Sequence, residues 1–106
     1  MTRLTTPRQE FQFDTDPSDF ARIQSTYNQD GNNILVKEKS DLTIEQTEDG
    51  TWTASFTMTQ EETALFDPDG DVVRCQTRIL TIQGEALASD IATIKVKDVL
   101  NQEVLT

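Results

Sequence analysis

The chain contains no histidine and a single cysteine, Cys75. Without histidine there is no imidazole to activate a serine or cysteine nucleophile, and none to bind a metal ion. One cysteine excludes an internal disulfide and any cysteine pair that binds zinc or cycles between redox states. It also suits a reducing compartment, where a thiol needs no partner. We therefore predict no catalytic residue and no enzymatic activity.

Positive charge is also scarce. Nine Lys and Arg stand against 19 Asp and Glu, which gives a formal net charge of −10 and a pI near 4.2. Such a chain has no charge-driven affinity for nucleic acid or for an anionic membrane. No stretch approaches the roughly 18 apolar residues of a membrane span, and residues 1–7 lack the apolar run of a signal peptide. We expect no nucleic-acid or membrane partner, and synthesis in the cytoplasm.

Apolar residues are few for a globular chain. They make up 35% of the 106 residues, against about 45–50% in a typical domain. The length suits one domain, and burying roughly two-thirds of the unfolded surface supplies one core and no more. We therefore expect a thin core and some apolar surface that a partner or a second copy completes.

Short alternations of apolar and polar residues, in a chain with sixteen threonines, indicate antiparallel β structure. The predicted strands are residues 9–13, 20–28, 33–37, 42–46, 51–58, 71–82 and 86–97. Asp30-Gly31 and Asp49-Gly50 are strong hairpin signals. In strand 51–58 the residues between Trp52, Ala54, Phe56 and Met58 are hydroxylated, which predicts one face toward solvent.

One short helix and two irregular strands complete the predicted fold. Thr59 and Glu62 form a capping box, which predicts a helix from about residue 60 to Phe66. Within 71–82, and again within 86–97, the apolar residues change from odd-numbered to even-numbered positions, and so from one face of the strand to the other. Such a change indicates β-bulges or a crossing between sheets. The pattern predicts an all-β, antiparallel two-sheet sandwich, immunoglobulin-like, with about seven strands and one short helix near residues 60–66. A small barrel is the alternative. The sandwich spans residues 9–98, between an N-terminal arm, 1–8, and a C-terminal tail, 99–106.

Candidate metal ligands occur at one place. Asp67, Asp69 and Asp71 present carboxylates at alternate positions, as a Ca²⁺ loop does. An EF-hand needs Gly after the third acid and Glu at the twelfth position, where this chain has Val72 and Arg78. An acidic loop after a helix explains the motif better, so we predict neither a metal nor a cofactor.

The other chemistry-bearing residues have structural explanations. Glu61 and Glu62 lie in the first turn of the predicted helix, where they complement the helix dipole. Cys75 lies on the apolar parity of its strand, which predicts a buried thiol. Trp52 and Tyr27 also lie on inward parities, so we expect core packing rather than an aromatic platform for sugars.

The acidic charge has two interpretations. It either keeps the protein soluble or mimics nucleic acid in the basic groove of another protein. Between Asp41 and Asp71 the chain has nine acids and no Lys or Arg, which keeps the second interpretation open.

Several stretches, taken together, carry a family resemblance. They are Arg3-Leu4-Thr5-Thr6-Pro7, Ile23-Gln24-Ser25-Thr26-Tyr27-Asn28-Gln29-Asp30-Gly31, Met58-Thr59-Gln60-Glu61-Glu62-Thr63, Phe66-Asp67-Pro68, Ala86-Leu87-Ala88-Ser89-Asp90-Ile91 and Asp98-Val99-Leu100-Asn101-Gln102-Glu103-Val104-Leu105. Over nearly the whole chain the pattern resembles small uncharacterised proteins encoded in or near the structural modules of phages and prophages of Gram-positive gut Firmicutes. The resemblance implies a small β protein of a phage particle, or a factor that helps to assemble one. It carries no functional residue with it.

We therefore expect a non-enzymatic virion protein of the tail, baseplate or head–tail connection. It would contact other virion proteins, form homo-oligomers in the assembly, and reside in the host cytoplasm until it enters the virion. The predicted interface residues are the apolar side chains of the tail, Val99, Leu100, Val104 and Leu105. The alternatives are a free acidic inhibitor that mimics nucleic acid and a carbohydrate-binding adhesion module.

Overall fold

The computed structural model describes residues 1–106 and is an all-β sandwich of two antiparallel sheets, as the sequence predicts. The strands are β1 (Arg8–Phe13), β2 (Arg22–Gln29), β3 (Asn32–Glu38), β4 (Thr43–Gln46), β5 (Trp52–Thr57), β6 (Val73–Leu80), β7 (Ala86–Ala88) and β8 (Ala92–Ile94). One α-helix, α1 (Gln60–Thr63), follows β5, and 3-10 turns cover Pro17–Asp19 and Lys39–Asp41.

The strand order is β1-β5-β4 in one sheet and β3-β2-β6-β7 in the other, with β8 also paired to β6. An immunoglobulin constant domain, numbered along its chain, has 1-2-5-4 facing 3-6-7. The present order differs in β2, which lies between β3 and β6. The cause is the two-residue turn Asp30-Gly31, whose φ angles of 54° and 82° form the tight hairpin that holds β2 beside β3.

Of the two predicted register slips, one is confirmed and one is wrong. Strand 86–97 divides into β7 and β8, and three residues between them face two residues of β6. The slip within β6 is absent, since its pairing with β2 runs unbroken from Leu80 to Arg74. Leu80 and Ile82 suggested it because they are apolar, yet Leu80 lies on the outer face and Ile82 is 72% exposed.

The core lies between the sheets and is small, with 15 of the 106 residues buried. Its largest cluster contains Tyr27, Phe56, Met58, Phe66, Val73 and Cys75. The ring of Tyr27 meets Phe56 and Phe66 edge-to-face, at centroid distances of 6.1 and 6.4 Å. The helix ends at Thr63 rather than at Phe66, and the turn that follows delivers Phe66 into this cluster.

Two expectations for β5 are corrected. Thr53 and Ser55, predicted to face solvent, are buried, because β5 is the central strand of its sheet and neighbouring side chains cover it. The Arg8 guanidinium, for example, donates a hydrogen bond to Ser55 Oγ over 3.2 Å. Trp52 is half-buried at the start of β5 and lies outside the central cluster.

A buried glutamine holds the acidic loop after α1. Gln29, only 3% exposed, donates from Nε2 to the carbonyls of Asp67 (2.7 Å) and Asp71 (2.9 Å). Its Oε1 accepts from the Asp67 amide over 2.8 Å. One side chain at the end of β2 thus satisfies three backbone groups of residues 67–71.

We expect Gln29→Leu to lower the free energy of unfolding by about 1–3 kcal/mol, because it leaves those backbone groups without partners at similar side-chain volume. Urea denaturation measures the change. Gln46→Leu, at an exposed glutamine, is the matched control. Equal stability of the two variants would show that the three bonds do not hold the loop.

Candidate interaction surfaces

The candidate metal ligands serve the loop itself. Asp67 Oδ1 accepts from the Asp69 amide (2.9 Å), and Asp71 Oδ1 accepts from the Val72 amide (2.8 Å). No group of three His, Cys, Asp or Glu side chains is placed to hold a metal ion. The carboxylates of Asp67 and Asp71 therefore accept from amides of the loop itself, and the three acids do not converge on one point.

The two nucleophilic groups of the core are protonated at neutral pH. Burial raises the pKa of the Cys75 thiol, although a hydrogen bond with Tyr27 opposes the rise. Burial also raises the pKa of Tyr27 above its ordinary value, with a further contribution from Cys75. The Tyr27 hydroxyl donates to Gln9 Oε1 across the sandwich, over 3.1 Å. Both groups thus behave as parts of the core.

The predicted N-terminal arm lies on the domain. The Met1 amine donates to the Lys95 carbonyl, the Lys97 amide donates to the Met1 carbonyl, and the Arg3 amide donates to the Lys97 carbonyl, each over 2.8 Å. Thr2 and Lys97 form a parallel bridge. Residues 1–3 therefore continue the β structure beside β8.

The side chain of Arg3 joins both chain ends to α1. Its guanidinium donates to Asp98 Oδ1 (2.8 Å), Gln102 Oε1 (2.6 Å) and the Ala64 carbonyl (3.1 Å). Hydrogen bonds from Gln102, from the Val99 amide and from Arg3 lower the pKa of Asp98. Arg3 is 18% exposed, so its contacts are partly protected from solvent.

We expect Arg3→Ala to release the chain ends while the sandwich stays folded, because it removes three contacts that hold them. Hydrogen exchange at the Lys97 amide should accelerate at least about fivefold. Arg22→Ala, which breaks an exposed pair with Glu38, is the control. Unchanged exchange at Lys97 in the Arg3 variant would contradict this role.

The predicted interface residues of the tail divide into two pairs. Val99 and Val104 are half-buried on the domain, whereas Leu100 is fully exposed and Leu105 is 72% exposed. Gln60 of α1 binds the Leu105 backbone through two hydrogen bonds of 2.7 and 2.8 Å. A groove of about 350 Å³ between Leu4 and the tail remains open. The tail thus packs partly on its own domain and presents two leucines to solvent.

The β3 side of the sandwich is closed by a charged pair. Lys37 Nζ lies 2.6 Å from Glu62 Oε2 of α1 and 5.3 Å from the centroid of the Phe56 ring. Burial works against the charge of Glu62, but hydrogen bonds from Lys37 and Thr59 and the charge of Lys37 outweigh it, so the pKa of Glu62 is lowered. The side chains are 20% and 19% exposed, which limits screening by water.

Because folding lowers the pKa of Glu62, its ion pair with Lys37 contributes fully to stability above the ordinary glutamate pKa of about 4.3. That contribution is lost as the pH falls through the pKa of Glu62 in the folded protein. We expect Glu62→Gln to cost about 0.5–1 kcal/mol at pH 7 and progressively less below pH 4. Urea denaturation across this pH range measures the difference. Glu61→Gln, its exposed neighbour, removes a charge from the same helix turn without breaking an ion pair, so it should cost clearly less at pH 7. The same profile for both variants would refute the assignment.

The opposite side of the sandwich is open. A cleft of about 360 Å³ lies between β1 and the β6–β7 edge, lined by Phe11, Phe13, Thr77, Ile79 and Leu87. Leu87 faces this cleft and is 46% exposed. The outer edges of β1 and β7 have no strand partner, so backbone donors and acceptors flank the apolar cleft on both sides.

Sequence reasoning missed this cleft. Phe11 and Phe13 lie on the same face of β1, and Leu87 is the large apolar residue of the three-residue strand β7. Only the pairing of β7 with β6 brings these three side chains together. The signal in the sequence was the low apolar content, which predicts a core that does not fill the space between two sheets.

No protein-family model, curated protein sequence or solved structure matches this chain. None of its helices has the length and apolar character needed to cross a membrane.

Proposed function

We propose that this chain is a non-enzymatic structural or accessory protein of a phage particle, at the tail, baseplate or head–tail connection. It acts through contacts with other virion proteins and with copies of itself, first in the host cytoplasm and then in the virion. The sequence resemblance supports the phage assignment. The open cleft beside β1 is the observation that carries the interacting role.

The cleft suits an extended segment of a neighbouring virion protein. A strand added along the outer edge of β1 would pair with its free backbone groups, as in β-augmentation. Every second side chain of that strand would then enter the space between Phe13 and Leu87. Such a segment would complete the apolar layer that this chain leaves unfinished.

The two alternatives have less support. A carbohydrate-binding module needs an aromatic platform, whereas every large hydrophobic side chain that is highly exposed here is aliphatic. Nucleic-acid mimicry needs acids along one face. Here Asp30 and the 67–71 loop lie at one end of the sandwich, whereas Asp16 and Asp49 lie near the other.

Mass spectrometry of gradient-purified phage particles from the producing host tests the proposal directly. A fixed number of copies relative to the major capsid protein supports a virion component. Absence of the chain from particles, together with abundance in the lysate, would contradict it.

A matched pair of substitutions tests the role of the cleft. We expect Leu87→Glu to lower the number of copies per particle at least about tenfold, because the partner would have to bury a carboxylate in an apolar site. Ile82→Glu is the control, since Ile82 is exposed in the turn outside the cleft. Equal incorporation of both variants would show that the cleft is not the contact.

A further inference from the structure

The outer face of the β3-β2-β6-β7 sheet departs from the acidic character of the chain. Its outward side chains on the two central strands are Arg22, Gln24, Thr26 and Asn28 from β2, and Arg74, Gln76, Arg78 and Leu80 from β6. Three of the five arginines of the chain lie there. The outward side chains of these two strands include no acid, so they form a basic stripe within a protein of net charge −10. Glu38 of β3 lies beside the stripe, and Asp30 and Asp71 lie beside Arg74 at its end.

Two of the three arginines are free to bind a partner. Arg22 lies 3.0 Å from Glu38, whereas Arg74 and Arg78 make no ion pair and no side-chain hydrogen bond within the chain. Both are exposed and, four residues apart on one strand, stand about 13 Å from each other. Guanidinium groups bind carboxylates through paired, directional hydrogen bonds.

Each free guanidinium borders a shallow depression of the sheet. The depression beside Arg74, about 300 Å³, is lined by Asn28, Asn33 and Gln76. The depression beside Arg78, about 160 Å³, is lined by Gln24, Leu80 and Ala86. Side-chain amides and guanidinium groups thus form a polar surface that suits acidic side chains with a backbone between them.

The β4–β5 hairpin of the other sheet has the complementary chemistry. It carries Glu45, Glu48 and Asp49 without any basic residue, and residues 45–50 are all exposed. The Thr47 hydroxyl and the Thr51 amide donate to Asp49, which lowers the pKa of its carboxyl group. Glu48 has no partner within the chain and projects at the tip of the turn.

We propose that the outer sheet face around Arg74 and Arg78 binds the acidic β4–β5 hairpin of a second copy of this chain, so that copies associate head to tail. The inference rests on the proposed function, whose homo-oligomeric contact it assigns to named surfaces. The face and the hairpin belong to different sheets, so the contact is heterologous and leads to a ring or a filament.

The net charge of −10 is compatible with this contact. Repulsion between whole copies acts over long distances, and salt at 0.15 M screens it beyond about 8 Å. Ion pairs formed at contact are screened less, so local complementarity outlasts the general repulsion. Raising the salt concentration to about 1 M, where the Debye length is about 3 Å, should weaken the contact.

Charge-reversal variants of the full chain test the proposal by sedimentation equilibrium. Arg74→Glu/Arg78→Glu removes the receiving face, and Glu48→Lys/Asp49→Lys removes the hairpin charges. We expect each variant alone to associate at least about tenfold more weakly than the wild type. A mixture of the two should associate again, because each variant then presents surfaces of opposite charge to those of the other.

Charge-matched controls separate the contact from net charge. Lys95→Glu/Lys97→Glu and Glu61→Lys/Asp69→Lys change the charge equally at exposed positions elsewhere. Urea denaturation checks that all variants fold. A monomeric wild type, equal weakening by the controls, or no restored association in the mixture would overturn the proposal.

The outcomes are separable from those of the proposed function. If the chain is monomeric in solution but present in particles at a fixed copy number, the head-to-tail contact is wrong and the virion role stands. If copies associate through this contact but the chain is absent from particles, the head-to-tail contact stands and the virion role is wrong. Binding of polyglutamate to a monomeric wild type, lost in the arginine variant, would assign the face to a different acidic partner and overturn the second copy as occupant.

Discussion

Tyr27 is the contact on which the sandwich depends. Its ring lies between Phe56 of one sheet and Phe66 of the loop after α1, and its hydroxyl reaches Gln9 of β1. A buried hydroxyl needs a partner, so this single bond fixes how β1 lies over β2. The aromatic contacts supply the apolar burial around it, and Cys75 fills the adjacent position on β6. Phe13 of β1 adds a second aromatic contact, edge-to-face with Phe20 just before β2, at a centroid distance of 5.7 Å.

The small core makes the two sides of the sandwich unequal. On the β3 side, Lys37 lies over the core and pairs with Glu62, so a charged side chain with a long apolar stem replaces missing hydrophobic residues. On the β1 side nothing comparable is present, and the space between Phe13 and Leu87 stays open. Further along that side, next to β8, lie residues 1–3, and the side chain of Arg3 connects them to the C-terminal segment. The open region is thus limited to the cleft between β1 and the β6–β7 edge.

The surfaces that remain differ in chemistry and in position. The cleft is apolar and flanked by free strand edges, which suits an extended segment of another protein. The outer face of the second sheet carries side-chain amides and the guanidinium groups of Arg74 and Arg78 beside two shallow depressions, which suits acidic side chains. The cleft and the depression beside Arg78 adjoin at Ile79, with Leu87 lining the cleft and Ala86 lining the depression.

Local interactions made much of the fold predictable from the sequence, whereas side-chain environment required the tertiary structure. The hairpin at Asp30-Gly31 follows from the backbone angles that these residues tolerate, and the capping box at Thr59 from hydrogen bonds within four residues. The alternation of apolar and hydroxylated residues in β5 predicted that Ser55 faces solvent. The sequence does not show that β5 is the central strand of its sheet, where neighbouring side chains cover Ser55. The cleft and the basic face were beyond sequence reasoning for the same reason. Arg22 and Arg78 are distant in the chain, and the pairing of β2 with β6, which puts them on one face, is decided by long-range packing around Tyr27.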